Sequence, residues 1–105
     1  MAFGQNPAMT DPSSFGQLNC PCGGGGNLHH GNATIFKRVE DGNTTTVIAQ
    51  NGNTVQRSDF PSADTCNPSP RRSGMLIEFS CEQCPGTNLQ LAVFQHKGHT
   101  FMEWV

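Results

Sequence analysis

The residues of this chain best equipped for chemistry are its five cysteines and four histidines. Cys81 and Cys84 stand two residues apart, are followed by Pro85 and Gly86, and lie between apolar alternating runs at residues 75–80 and 89–94. A Cys-x-x-Cys at the tip of a β-hairpin aims both sulfurs at one point, and the glycine behind it lets the chain turn tightly. The stretch therefore reads as half of a zinc knuckle pair, with Cys20-Pro21-Cys22-Gly23 as the other half. Thiolates from Cys20, Cys22, Cys81 and Cys84 would form a closed tetrahedral site for a structural Zn2+, with sulfurs at ~2.3 Å and no position left for water. A single residue between Cys20 and Cys22 strains their joint chelation of one ion, so His29 or His30 stands ready as a substitute ligand. The competing reading is that the cysteines are simply buried thiols.

Other reactive groups assemble less well. His29-His30 and His96-x-x-His99 could serve a catalytic metal, which needs about three nitrogen or oxygen ligands and an open position. The nearby carboxylates are limited to Glu78, Glu82 and Glu103. Cys66 lies in a polar loop near Asp64, a setting that does not activate a thiol. Residues 23–26 are a run of glycines, but no apolar strand precedes them and no Lys-Ser or Lys-Thr follows, so they read as a flexible turn and not as a phosphate loop. Lys37-Arg38 and Arg71-Arg72 could form a small basic patch beside an aromatic platform for nucleic acid. Phe94, Phe101 and Trp104 are, however, expected in the core, because the chain has few large apolar residues to spare.

The elements that must position these groups are strands. In residues 27–39, Ala33, Ile35 and Val39 alternate with Thr34, Phe36 and Arg38, the period-2 pattern of a half-buried strand. Residues 44–50 are β-branched and run into Asn51-Gly52, a strong hairpin signal, with Thr54, Val55 and Gln56 on the return. Residues 58–74 carry Pro61, Pro68 and Pro70 and read as an irregular crossing loop. Met75, Ile77, Phe79 and Cys81 share one face of the next strand, Leu89, Leu91 and Val93 one face of its neighbour, and a short strand over 100–105 follows a turn at residues 96–99. No window has a convincing helical period. The expected fold is mostly β: a small antiparallel sheet made of a hairpin over residues 28–60 and a three-stranded meander over 74–105, with a zinc-ribbon-like knuckle pair. Residues 1–18 mix Gly, Pro, Ser, Asn and Gln without period and read as a disordered or flexible arm, leaving residues 19–105 as one domain.

Composition narrows the partners. Only 34% of the 105 residues are apolar and 13% are charged, with 12 Gly and 7 Pro, so the core is small and a metal would supply stability that it lacks. A net charge of −2 argues against a partner held mainly by phosphates, so nucleic acid is possible but not favoured. No apolar run approaches the ~20 residues of a membrane span, and no membrane partner is expected. Residues 1–19 lack the features of a signal peptide. A reducing, cytoplasmic setting follows, where cysteines are read as metal ligands before disulfides.

A resemblance runs over residues 19–104. Its carriers are Cys20-Pro21-Cys22-Gly23-Gly24, Leu28-His29-His30-Gly31, Phe36-Lys37-Arg38 with Glu40-Asp41, Asn67-Pro68-Ser69-Pro70-Arg71-Arg72, the run from Ile77 to Cys84, Gln95-His96-Lys97-Gly98 and Glu103-Trp104. This series resembles a group of small bacterial zinc-ribbon-like proteins found in genomes rich in mobile elements and phage. That group shows Cys-Pro-x-Cys where this chain has Cys20-Pro21-Cys22. The resemblance implies a metal-stabilised β fold and supplies no substrate. The functional expectation is a non-enzymatic binding or adaptor protein with structural zinc, acting on another protein and possible cargo of a phage or mobile element. The alternatives are a nucleic-acid-binding zinc ribbon and a metal-dependent hydrolase using His29, His30, His96 or His99.

Overall fold

Alternating β-branched, aromatic and polar residues build a six-stranded antiparallel sheet, seen in a computed structural model that describes Met9–Thr10, residues 17–22 and residues 27–105. The strands are β1 (Met9–Thr10), β2 (Gln17–Leu18), β3 (Leu28–Lys37), β4 (Thr44–Asn51), β5 (Thr54–Pro61), β6 (Gly74–Cys81), β7 (Leu89–His96) and β8 (His99–Trp104). β1 and β2 pair as a separate two-stranded ribbon, while the main sheet has the order β5-β4-β3-β6-β7-β8. Two meanders, β3-β4-β5 and β6-β7-β8, thus meet along one seam where β3 pairs antiparallel with β6. The fold is the small, mostly antiparallel β fold that the periodicity predicts.

The second meander matches residues 74–105 as expected. The stretch 28–60, expected as one hairpin, carries three strands. β5 runs on through Pro61, and all its residues are exposed. A strand exposed on every side has no apolar alternation to betray it, which is why residues 58–61 read as loop. The flexible arm expected over residues 1–18 falls mostly outside the described residues, as does the glycine run at 23–26. The described parts of that arm form the β1–β2 ribbon, and Leu18 packs against the core.

Register distributes the small core over both faces. On one face, Cys20, Cys81, Leu89, Leu91 and Trp104 cluster at the end of the sheet nearest the Cys-x-x-Cys turn, with Leu28, Phe79 and Val93 packed against them. Trp104 meets Phe79 edge-on at 5.6 Å between ring centroids, a favoured aromatic geometry. Burying side chains of this size gains ~1.5–3 kcal/mol each. On the other face Phe36 and Ala92 are buried. Phe101, expected in the core, is instead 44% exposed, because β8 is an edge strand and only Phe94 stacks on that ring, at 5.9 Å.

The connection from β5 to β6 lies across this second face. It begins with a short 3-10 turn at Ser62–Asp64, where the Ser62 hydroxyl donates to the Gly42 carbonyl and sits 2.8 Å from the buried Thr45 hydroxyl. Ser69, only 3% exposed, donates through its hydroxyl to the Gln95 carbonyl and accepts from the Arg72 N–H. Asn67 accepts from the Ser69 N–H and donates to the Arg72 carbonyl. Arg71 grips Asp41 with two nitrogens, at 2.8 and 2.6 Å, and Arg72 reaches Glu40 at 2.6 Å. The segment is therefore tied to the β3–β4 turn by ion pairs and to the sheet by hydroxyl bonds.

Two predictions follow from these ties. A Cβ on Gly74 would lie 2.5 Å from Asn67 Oδ1 and 2.9 Å from Pro68 Cγ, so Gly74→Ala must lift the segment off β6. It should cost ~1–3 kcal/mol, the usual range for overpacking, read as a lowered urea midpoint. The bonded Arg71 guanidinium holds the Asp41 carboxyl below its ordinary value of 3.8. A carboxyl lowered by folding contributes its stability above the unfolded value and loses it as pH falls through the folded one. Asp41→Asn should therefore be slightly less stable than the native chain at about pH 6, and the gap should close toward about pH 3. A gap that stays constant with pH would show that the pair contributes nothing to folding.

Candidate metal centre

β6 ends at Cys81 and β7 begins at Leu89, and the turn between them folds back on itself. The Cys84 N–H donates to the Cys81 carbonyl at 3.2 Å, and the Thr87 N–H to the Cys84 carbonyl at 3.3 Å. Gly86 turns the chain with φ +81°, a conformation that favours glycine. The Glu82 N–H donates to the Asn27 carbonyl, which fixes the start of β3 against the turn. Upstream, residues 20–22 follow β2 directly, and the Cys22 N–H points at the Cys20 sulfur at 3.4 Å.

These two turns bring the sulfurs of Cys20, Cys22 and Cys84 within 4.8 Å of one another, so that the three could hold a metal ion. Cys20 and Cys84 are 3.8 Å apart, sulfur to sulfur. Bonds of ~2.3 Å to a tetrahedral ion place its sulfurs ~3.8 Å apart, so this pair already has the required spacing. Cys20 is buried, Cys84 half-buried and Cys22 exposed. Cys81 is buried in the same core cluster as Cys20.

The crowding has an electrostatic consequence. Contact with Cys22 first, then desolvation, then contacts with Cys20 and Cys81, push the Cys84 thiol up to about 12. The Cys84 thiol, set among the others, therefore resists ionisation. A bound cation inverts that preference, since a coordinating thiol is deprotonated outright.

The other singled-out residues go elsewhere. His29 places Nε2 3.4 Å from Glu82 Oε2, both side chains largely exposed. His30 lines an open cavity with Ala33, Met75 and Ile77 on the other side of the strand from His29. His96 and His99 face each other across the β7–β8 turn and flank the Phe101 ring at 6.2 and 6.3 Å. Among the described residues, the group of metal-capable side chains consists of cysteines.

The basic patch is largely spoken for. Arg71 and Arg72 are paired with Asp41 and Glu40, and Arg38 donates to the Gly42 and Pro70 carbonyls. The adjacency of Glu40-Asp41 to Lys37-Arg38 was the available signal for this network. Cys66 is exposed and borders an apolar hollow of about 330 Å³ with Phe36, Val47, Phe60 and Leu76. Nothing in its local sequence marks that hollow, because its walls come from four strands.

Compared with protein-family models, with curated proteins and with solved structures, the chain matches none.

The cysteine geometry makes a direct prediction. Elemental analysis of the purified protein should find about one metal ion per chain. Cys84→Ser should lose it, because Cys84 touches each of the other thiols, whereas Cys66→Ser should retain it. Equal metal content in the two variants would place the ion elsewhere.

Proposed function

We propose that this chain is a non-enzymatic binding module whose sheet is clasped at one end by a structural zinc ion. The observation that carries the reading is the convergence of Cys20 and Cys22 on Cys84, across 64 positions of sequence, with Cys81 packed beside them. Thiolate sets of this kind suit zinc and saturate it, leaving no position for water or substrate. The zinc would be held by Cys20, Cys22, Cys84 and Cys81 and would supply folding energy instead of Lewis-acid chemistry.

Binding is supported by what the sheet leaves open. Ile35, Val55 and Met102 are exposed and share one face by register, so an apolar stripe crosses the sheet beyond the cysteine end. A protein surface is the partner that such a stripe suits. The likeness to small zinc-ribbon-like proteins supports a phage or mobile-element protein acting on a host protein in the cytoplasm. Nucleic acid draws less support, since Arg38, Arg71 and Arg72 already have partners and the chain is net acidic.

The test is a thermal melt with and without a zinc chelator. Zinc at a hundredfold excess over its dissociation constant would stabilise by ~2.7 kcal/mol. For a domain of this size, its removal should lower the midpoint by roughly 10–20 °C. An unchanged midpoint would rule out a structural role for the metal.

A further inference from the structure

The five cysteines differ in what reaches them from water. Cys20 and Cys81 are buried, Cys84 is half-buried, and Cys22 and Cys66 are exposed. A dissolved oxidant meets the exposed thiols first, and the outcome then depends on whether a second thiol stands close enough to react with the oxidised sulfur. Cys66 stands apart from the cysteine group, on the hollow walled by Phe36, Val47 and Leu76.

Cys22 has a partner at hand. Its sulfur lies within 4.8 Å of those of Cys20 and Cys84, and its side chain meets the Cys84 thiol. A bond from Cys22 to Cys20 would close a ring over one residue, Pro21, whose fixed φ stiffens it. Cys81 does not join the group of three. Cys84 is therefore the thiol placed to take up a change at Cys22, and a disulfide of ~2.05 Å asks for a short approach of sulfurs already in contact.

We propose that the cysteine cluster is also a peroxide-sensitive site, where oxidation joins Cys22 to Cys84 and a disulfide takes over the clasp from the metal. The release of metal rests on the zinc reading above, whereas the sulfur chemistry rests on the geometry alone. The Cys22 thiolate attacks one oxygen of hydrogen peroxide and the O–O bond breaks. Cys22 becomes a sulfenic acid, and the other oxygen leaves as hydroxide and takes a proton to become water. The Cys84 thiolate then attacks the Cys22 sulfur. The S–S bond forms, the S–O bond breaks, and a second hydroxide leaves and is protonated. The two sulfurs give up two electrons between them, and the peroxide is reduced to two waters.

The new bond spans the same two turns as the metal, so the segment ahead of the sheet stays tied to the β6–β7 turn. Cys20 and Cys81 alone do not fill a tetrahedral zinc shell, so the ion leaves. A thiol reductant reverses the exchange. Oxidation thus changes what the site holds while the fold keeps its tie.

Peptide mapping of the protein as purified, its zinc content measured first, tests the inference after treatment with hydrogen peroxide. Free thiols are alkylated and the chain is cleaved after glutamate without reduction. Cleavage at Glu82 separates Cys81 from Cys84, and cleavage at Glu40 and Glu78 isolates Cys66. The expected product joins Cys22 to Cys84, with fragmentation placing the bond at Cys22, and it disappears on reduction. Zinc should appear in solution as the bond forms, read with a colorimetric indicator. In chelator, the oxidised protein should keep a melting midpoint near that of the zinc-loaded protein, while the reduced protein falls. Cys66→Ser should cross-link like the native chain. A bond from Cys84 to Cys20 or Cys81, or Cys22 carried to sulfinic acid with Cys84 still free, overturns the inference. A Cys22–Cys84 bond in protein that held no zinc beforehand supports the disulfide and counts against the zinc reading. Zinc present with no such bond does the reverse.

Discussion

The approach of Cys20 and Cys84 to 3.8 Å is the constraint on which the remainder depends. It joins the segment ahead of the sheet to the turn between β6 and β7, and so to the meander that holds the larger core cluster. Fixing two points 64 positions apart removes loop entropy from the unfolded chain, on the order of 4 kcal/mol in the chain-entropy picture used for disulfides. A domain with so little apolar content draws a large share of its stability from a term of that size. Leu18 and Leu28 pack against the same cluster, beside the buried Cys20 and Cys81.

A second constraint acts at the opposite face. The β3–β6 seam joins two meanders that the chain visits in turn, and the connection between them has to cross the sheet. It does so with little apolar material, by burying two hydroxyls, Thr45 and Ser69, that find partners, and by pairing Arg71 and Arg72 with the acids of the β3–β4 turn. Polar burial of this kind succeeds only when each group is satisfied, and among the described residues no buried side-chain polar atom lacks a partner. The same economy leaves Phe60, Ile35 and Met102 partly exposed.

Much of this was legible from sequence, and the parts that were not share a cause. The strands β6 and β7 announce themselves through period-2 alternation, as where Ile77, Phe79 and Cys81 alternate with Glu78 and Ser80. The far half of β5 is invisible because Arg57, Ser58 and Asp59 face water on an edge. Phe101 was misplaced in the core because burial depends on which strand lies outermost, and that follows from pairing order. The paired spacing of Cys81 and Cys84 was enough to find the turn, and the structure brings Cys20 and Cys22 to Cys84. The tethering of Arg71 to Asp41 spans 30 positions, so the acids beside Lys37-Arg38 hint at an ion-pair network without showing which partner they take.

The central claim concerns the atoms around one ion, and X-ray absorption at the metal edge reads them directly. The account predicts zinc in a shell of sulfurs alone at ~2.3 Å, unchanged by His29→Ala and His30→Ala together. A shell containing nitrogen at ~2.0 Å that disappears in that double variant, or a protein that takes up no zinc, would contradict it.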